Sequence, residues 1–198
     1  MFSFLIKPND CQSVSYKTKF KRMKKYFLGL AIASIALLSA CGQKESKLAT
    51  ASLAETADPS KSIGTATFYG LSDGKIKMDL ELKFASRADS NVAVHFHEHG
   101  DCGDMGENTH GHWNPTKENH GKWDSGAFHS GDIGNIKLDS KGEAKISITT
   151  DRWSVQDGDV KNIIGRGIIV HGGTDDYKTQ PTGNSGPRVG CGVIEAVK

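Results

Sequence analysis

Three features are missing from this sequence of 198 residues. Beyond residue 41, no segment repeats its apolar residues with helical periodicity over three turns, which argues against a helical bundle. No basic stripe is present either: the first 41 residues hold seven of the 25 basic and one of the 23 acidic residues, so the remainder carries a net charge of −4. This balance excludes nucleic acid as a partner. The uncharged run 26–40 is too short to span a bilayer.

The first 41 residues instead have the order of a secretory signal. A basic cluster at residues 21–25 precedes the uncharged run, which ends in the small residues of L-S-A-C. These four letters resemble a bacterial lipobox, which would make Cys41 the lipidated first residue of the mature protein and hold it at a membrane surface. The alternative is an ordinary signal peptide followed by an unmodified cysteine.

The domain organisation follows from this signal. Residues 1–22 have no feature that a signal needs, so we expect translation to start at Met23. Residues 1–41 are then the signal region, 42–46 a polar tether, and 47–198 a single domain of an exported, periplasmic or cell-envelope lipoprotein.

Export also determines how the cysteines are interpreted. Four cysteines are present, and with Cys11 and Cys41 assigned to the signal region, Cys102 and Cys191 remain as one pair. In an oxidising compartment such a pair favours a disulfide, although two thiols can also serve as metal ligands. Because histidines already offer enough metal donors, we favour the disulfide.

The domain itself has the pattern of a β-protein. Apolar and polar residues alternate along 76–84, as in a strand with one buried and one wet face. Seven weaker candidates are residues 48–53, 63–69, 92–96, 133–138, 144–148, 167–170 and 189–194. Eight short strands predict an all-β, antiparallel Greek-key sandwich or barrel, immunoglobulin-like in architecture. Two long loops, 100–131 and 172–187, are rich in Gly, Asp and Asn and are expected to be functional.

Six of the eight histidines follow the pattern of a paired metal site. His95 and His97 lie two apart on a predicted strand, so their rings project from one face. Together with Asp132, the six offer seven donors, too many for one tetrahedral ion. Four imidazoles suit copper(II), and three nitrogens with one carboxylate suit zinc. The count balances only if His112 binds both ions.

A series of motifs then points to a family. H-F-H-E, G-D-C, H-W-N-P, N-H-G, F-H-S-G-D-I-G-N, G-R-G-I-I-V-H, T-G-N-S-G-P-R and C-G-V-I occur in the order found in copper,zinc superoxide dismutases. The chain resembles the exported bacterial branch of this family over about residues 47–198. The resemblance implies a β-sandwich fold, which agrees with the strand pattern.

The resemblance implies one copper and one zinc ion per subunit and a role for each matching position. It implies copper ligands at His95, His97, His112 and His171, and zinc ligands at His112, His120, His129 and Asp132. It further implies that Asp175 links the two sites and that Cys102 and Cys191 form the family disulfide. Arg188 and His112 would be catalytic, with Thr182 and Lys178 along the substrate channel.

The implied activity is dismutation of superoxide to dioxygen and hydrogen peroxide, with Arg188 as the anchor for the anion. Two departures from the family pattern bear on the efficiency of this reaction. The loop before Arg188 is short, with Lys178 as its only lysine, and Pro187 stands where a small residue is usual. The alternatives to this enzyme are a metallochaperone or metal-binding module without turnover and a one-metal buffer.

His99 and His110 match no ligand position and are expected to be solvated or to capture metal. A homodimer is left open.

Overall fold

The computed structural model describes residues 45–198, which form an all-β domain of eight antiparallel strands closing into a nearly complete barrel. The strands are β1 (Ser46–Glu55), β2 (Ser62–Gly70), β3 (Ile76–Lys83), β4 (Asn91–His97), β5 (Gly134–Lys137), β6 (Glu143–Thr150), β7 (Gly167–His171) and β8 (Arg188–Val193). All eight predicted strands are confirmed. A two-residue strand, β9 (Glu195–Ala196), additionally pairs with β1. The predicted start at Met23, the signal and the lipidation of Cys41 lie outside the described residues.

The hydrogen-bonded order of the strands is that of a Greek-key barrel. Along the sheet the strands follow the order β5-β4-β7-β8-β1-β2-β3-β6, and each pair of neighbours is antiparallel. The connections from β3 to β4 and from β6 to β7 therefore cross between distant positions of the sheet, as the predicted fold class requires.

Burial follows the sequence pattern strand by strand. On β3, Ile76, Met78, Leu80 and Leu82 are buried, whereas the residues between them are partly or fully exposed. β4 and β7 are buried on both faces from Val92 to His97 and from Gly167 to His171. One face of these two strands packs into the barrel. The other lies beneath the long loops, which places the histidines of β4 and β7 between sheet and loop.

An aromatic cluster connects the barrel interior to the loops. The rings of Phe68, Phe96 and Trp153 form a triangle in which the Phe96 centroid is 6.0 Å from Phe68 and 5.1 Å from Trp153, and the Phe68 and Trp153 centroids are 6.1 Å apart. The indole nitrogen of Trp153 donates to the carbonyl of Ser130, 2.8 Å away, in the first long loop. Trp153 belongs to a third irregular connection, 151–166, which the sequence did not single out. The core thereby supports the loop that carries three predicted ligands.

The described residues contain only two short 3-10 segments and no α-helix. These segments are Ala85–Arg87 and Asp104–Thr109. Accordingly, within 45–198 the structure has no helix of the length and apolar character that crossing a bilayer demands.

The predicted disulfide between Cys102 and Cys191 is confirmed. It joins the first long loop to β8, with the two Cα atoms 5.8 Å apart at a sequence separation of 89. The bond therefore fixes the loop that precedes His112 against the strand that begins at Arg188.

Candidate metal centre

Four histidines meet where β4 and β7 run beneath the first long loop. His95 and His97 lie on β4, and His171 is the last residue of β7. His112 joins them from the loop because it forms an antiparallel bridge with His97. One ligand atom from each of the four lies within 4.8 Å of the others, and all four residues are buried. We call these residues the four-histidine group.

Each ring of the four-histidine group has one engaged nitrogen and one bare nitrogen. Nδ1 of His97 donates to the carbonyl of His110 at 2.8 Å, and Nδ1 of His171 donates to that of Gly186 at 3.1 Å. His95 uses Nε2 instead, 2.9 Å from Asp175. The opposite nitrogens are buried without a hydrogen-bond partner anywhere in residues 45–198: Nδ1 of His95 and Nε2 of His97, His112 and His171.

A second group forms around Asp132 and includes His112 again. Oδ1 of Asp132 lies 3.0 Å from Nδ1 of His112 and 3.3 Å from Nδ1 of His129, and Oδ2 lies 3.0 Å from Nδ1 of His120. Ligands about 2.0 Å from a tetrahedral zinc ion lie about 3.3 Å from one another, so these separations match a coordination shell. We call His112, His120, His129 and Asp132 the three-histidine–aspartate group.

Backbone hydrogen bonds hold the Asp132 carboxylate in place. Its Oδ2 accepts from the backbone nitrogens of His129 at 2.8 Å and Gly121 at 3.1 Å. Nδ1 of His120 and of His129 has no well-aligned hydrogen-bond acceptor among the residues described, despite the nearby carboxylate. These nitrogens therefore point as ligands toward a shared centre, not as donors toward Asp132.

The donor set fits two ions. Six buried ring nitrogens without partners are costly in a folded protein unless something satisfies them. Nδ1 of His112 faces Asp132 and leaves Nε2 for the four-histidine group, so one ring can serve both groups. Four imidazoles suit copper, and three imidazoles with a carboxylate suit zinc.

Asp175 connects the two groups from the second long loop. Its Oδ2 lies 2.9 Å from Nε2 of His95 and its Oδ1 2.9 Å from Nε2 of His120. Burial alone would raise the pKa of Asp175, but the hydrogen bonds to His120 and His95 outweigh it and hold that pKa well below its ordinary value. The ionised carboxylate thus orients one ring of each group, as outer partners of metal ligands commonly do.

Sequence reasoning missed two side chains that support this link. Asn135 holds the backbone of Asp175, since its Oδ1 accepts from the Asp175 nitrogen at 2.7 Å and its Nδ2 donates to the carbonyl at 2.8 Å. Gln180 holds the backbone of His120 in the same way, at 2.8 and 2.9 Å. Asn135 closes the F-H-S-G-D-I-G-N motif, which was a usable signal, whereas no local pattern distinguishes Gln180.

Burial tunes the rings toward their neutral, ligand-ready form. It lowers the pKa of His97 to about 2, of His171 to about 3 and of His112 to about 4, and it also lowers the pKa of His95. His120 differs: burial alone would lower its pKa, but the carboxylates of Asp132 and Asp175 raise it to about 9. Neutral imidazoles can accept a metal without first releasing a proton.

A cavity of about 320 Å³ connects the four-histidine group to solvent, and Asp132 is not among the residues that line it. His97, His112 and His171 line it, together with Glu107, Thr182, Asn184, Ser185, Gly186 and Arg188. The cavity is therefore large enough for a small anion and is lined by three members of the four-histidine group.

Arg188 is held at this cavity by the loop that the disulfide fixes. Its Nη1 donates to the carbonyl of Gly106 at 2.6 Å and to Oγ1 of Thr109 at 2.7 Å, and its Nη2 donates to the carbonyl of His110 at 2.9 Å. The guanidinium thus has a fixed orientation beside the four-histidine group, where it can attract an anion.

Of the two predicted channel residues, only one lines the cavity. Thr182 lines the cavity, whereas Lys178 is exposed and is not among the lining residues. The carbonyl of Pro187 accepts from the nitrogen of Gly172 at 2.8 Å, so the proline lies in a paired segment next to Arg188.

Comparison with known proteins gives one consistent result. Residues 62–194 match the family model described as copper/zinc superoxide dismutase. A superoxide dismutase [Cu-Zn] of Yarrowia lipolytica is 38% identical over 148 residues, 68% of this chain and 90% of the relative. Superoxide dismutase [Cu-Zn] 1 of Aquifex aeolicus is 34% identical over 110 residues, 54% of this chain and 65% of the relative.

A solved structure extends this similarity to the fold. The crystal structure of a SOD-like protein from Bacillus subtilis is 26% identical and superimposes with a TM-score of 0.64, covering 73% of this chain and 96% of that one.

Proposed function

Because this chain belongs to the copper/zinc superoxide dismutase family, we propose that it converts superoxide to dioxygen and hydrogen peroxide at a copper ion linked through His112 to a structural zinc ion. The observation that carries the proposal is the His112 ring, whose Nδ1 faces Asp132 while its Nε2 is buried and free on the side of the four-histidine group. His95, His97, His112 and His171 would hold copper. His112, His120, His129 and Asp132 would hold zinc.

The overall reaction balances with two superoxide ions and two protons. One superoxide gives up an electron and leaves as dioxygen; the other takes up that electron and two protons and leaves as hydrogen peroxide. Copper supplies the one-electron chemistry when bound, and zinc supplies a fixed positive charge.

Arg188 and His112 perform the steps that belong to the protein. Arg188 attracts superoxide into the cavity and orients it beside the bare nitrogens of His97, His112 and His171. Nε2 of His112 would hold a proton when it is not coordinated, and the His112 ring lines the cavity in which the reduced anion needs one. The second proton comes from solvent through the same opening. Thr182 lines this route.

Metal analysis together with a dismutation assay on the purified protein tests this function. One copper and one zinc per chain, with rapid superoxide removal, would support it. Both metals without turnover would overturn the enzymatic function and leave a metal-binding module. One metal per chain would instead favour a buffer.

Electron paramagnetic resonance tests the shared ligand separately. If one ring serves both ions, removing zinc alone changes the copper spectrum, because Nδ1 of His112 then no longer binds a metal ion. An identical spectrum with and without zinc would contradict the bridge.

We also propose that the protein is exported and anchored by a lipid on Cys41. The Cys102–Cys191 disulfide is consistent with export, since such bonds persist in oxidising compartments. A Cys41→Ser variant is expected to move from the membrane fraction to the soluble fraction. Peptide mapping of the precursor tests the start at Met23, and sedimentation measures whether the protein forms a homodimer.

A further inference from the structure

A third set of metal-type side chains lies on the surface beside the four-histidine group. Glu98 and His99 directly follow β4, and His110 follows the short segment Asp104–Thr109. One ligand atom from each lies within 4.8 Å of the other two, and all three residues are exposed. The rings of His99 and His110 meet edge to face, with centroids 4.5 Å apart. We call these three residues the surface triad.

Backbone contacts hold the two segments of the surface triad together. The nitrogen of Glu98 donates to the carbonyl of Gly111 at 3.0 Å, and the nitrogen of His99 donates to that of Thr109 at 3.2 Å. Nη1 of Arg166 donates to the carbonyl of Glu98 at 2.6 Å. The donor atoms therefore start from a fixed scaffold, which reduces the entropy that a bound ion would have to overcome.

The side chains of the surface triad have no other bonding role in the described part of the chain. None of the hydrogen bonds and ion pairs within residues 45–198 uses the imidazole of His99 or His110 or the carboxylate of Glu98. His110 also has φ +60° and ψ −141°, a conformation that few side chains adopt. Both observations fit side chains that serve a ligand better than side chains that stabilise the loop.

The donor types indicate which ion would bind. Two imidazoles and one carboxylate, open to water, suit a divalent transition metal with the remaining positions filled by solvent. Among such ions copper(II) forms the most stable complexes with nitrogen and oxygen donors. The surface triad lies next to the buried nitrogens, because the carbonyl of His110 accepts from Nδ1 of His97 at 2.8 Å.

We propose that Glu98, His99 and His110 form a third, exposed and reversible copper(II) site, which captures the ion for the four-histidine group. This site belongs to neither set of ligands assigned above, and it does not require that the protein turn over superoxide. It uses the two histidines that the paired metal centre leaves over, since six of the eight in the sequence belong to the two buried groups.

The binding test uses the full protein without a histidine tag, loaded with copper and zinc and freed of excess metal. Equilibrium dialysis against copper(II) chloride is expected to show one further equivalent of copper, which is the third metal ion per chain and is called the third equivalent below. Its electron paramagnetic resonance spectrum should show two imidazole ligands. His99→Ala should weaken this binding at least tenfold, and Glu98→Gln less. His99→Gln, which keeps a polar side chain of similar size, is the second variant in case the alanine variant does not fold.

Glu143→Gln is the matched control, because Glu143 is an exposed carboxylate on β6 with no side-chain partner among the residues of the structure. It should leave the third equivalent unchanged. No third equivalent in the wild type, or an equal one in both His99 variants, would overturn the site.

The capture role has its own measurement in the metal-free protein. From dilute copper(II), His99→Ala should fill the four-histidine group several times more slowly than wild type and reach the same final content. Equal filling rates would overturn capture. Because the readouts are metal content and spectra, their outcome is independent of the dismutation assay.

Discussion

The carboxylate of Glu107 lies 3.3 Å from the guanidinium of Arg188 at the rim of the cavity. Glu107 is mostly exposed, with 62% of its side chain accessible, whereas Arg188 is 16% accessible. The pair therefore places a solvated negative charge beside the positive charge that would attract an anion. It contributes little to stability but bears directly on the field in the cavity.

Replacing Glu107 with glutamine should speed the reaction of superoxide. The variant removes the opposing charge, while Gly106, Thr109 and His110 still hold Arg188. We expect kcat/KM to rise at low ionic strength and the gain to disappear at high salt, because salt screens exposed charges. Pulse radiolysis at several salt concentrations measures this. Glu143→Gln, which removes a charge on β6, should have no such effect; an equal gain in both variants would refute a local role for Glu107.

Gly183 lies against the link between the two metal groups. Its φ is +66°, and a Cβ at this position would collide with Oδ1 of Asp175 and meet Nε2 of His120 at 2.5 Å. We expect Gly183→Ala to displace the Asp175 carboxylate and to weaken zinc binding by about 10–100-fold, as loss of an outer partner commonly does. Chelator competition measures the zinc affinity.

Gly158→Ala is the control for backbone strain in that experiment. Gly158 also has a positive φ, +76°, but a Cβ there would meet nothing within 4 Å. The control should lose about 1–2 kcal/mol of stability and keep its zinc affinity. If both variants bind zinc equally well, contact with Gly183 does not position Asp175.

The Cys102–Cys191 disulfide should stabilise the domain substantially. Because it closes a loop with a sequence separation of 89, the chain-entropy model gives about 4–5 kcal/mol. The double variant Cys102→Ser/Cys191→Ser should unfold at a lower denaturant concentration, with its free energy of unfolding reduced by this amount. A reductant should destabilise the wild type and leave the double variant unaffected. A reductant-independent wild type would show that the bond contributes nothing measurable.

Removing the metals should lower the melting temperature. Chelation leaves six buried ring nitrogens without partners, and two ions, each at a thousand times its Kd, contribute about 8 kcal/mol to the folded state. For a domain of this size we expect a fall of about 16–32 °C in scanning calorimetry. Zinc alone should restore part of the loss in the wild type and none in His129→Ala. An unchanged melting temperature after complete chelation would contradict the assigned ligands.

Local patterns predicted the strands well because burial of one face requires apolar and polar residues to alternate along each strand. The alternation on residues 76–84 needs no knowledge of the rest of the chain, and the structure buries Ile76, Met78, Leu80 and Leu82 as expected. The same argument placed His95 and His97 on one strand. The third irregular connection was missed because its support comes from Trp153, whose contacts with Phe96 and Ser130 are not visible locally.

The strands, the cysteine pair and the set of seven donors could all be predicted from local sequence, because strand period, the signal-like order of the first 41 residues and ligand types depend on neighbouring residues. The side chains that hold those donors in place became visible only in the folded domain. Asn135 reaches Asp175 across 40 positions, Gln180 reaches His120 across 60, and Arg188 contacts Thr109 across 79. Such contacts depend on how the barrel closes and on which loops it brings together, and residues so far apart in the chain have no shared pattern that reveals their proximity.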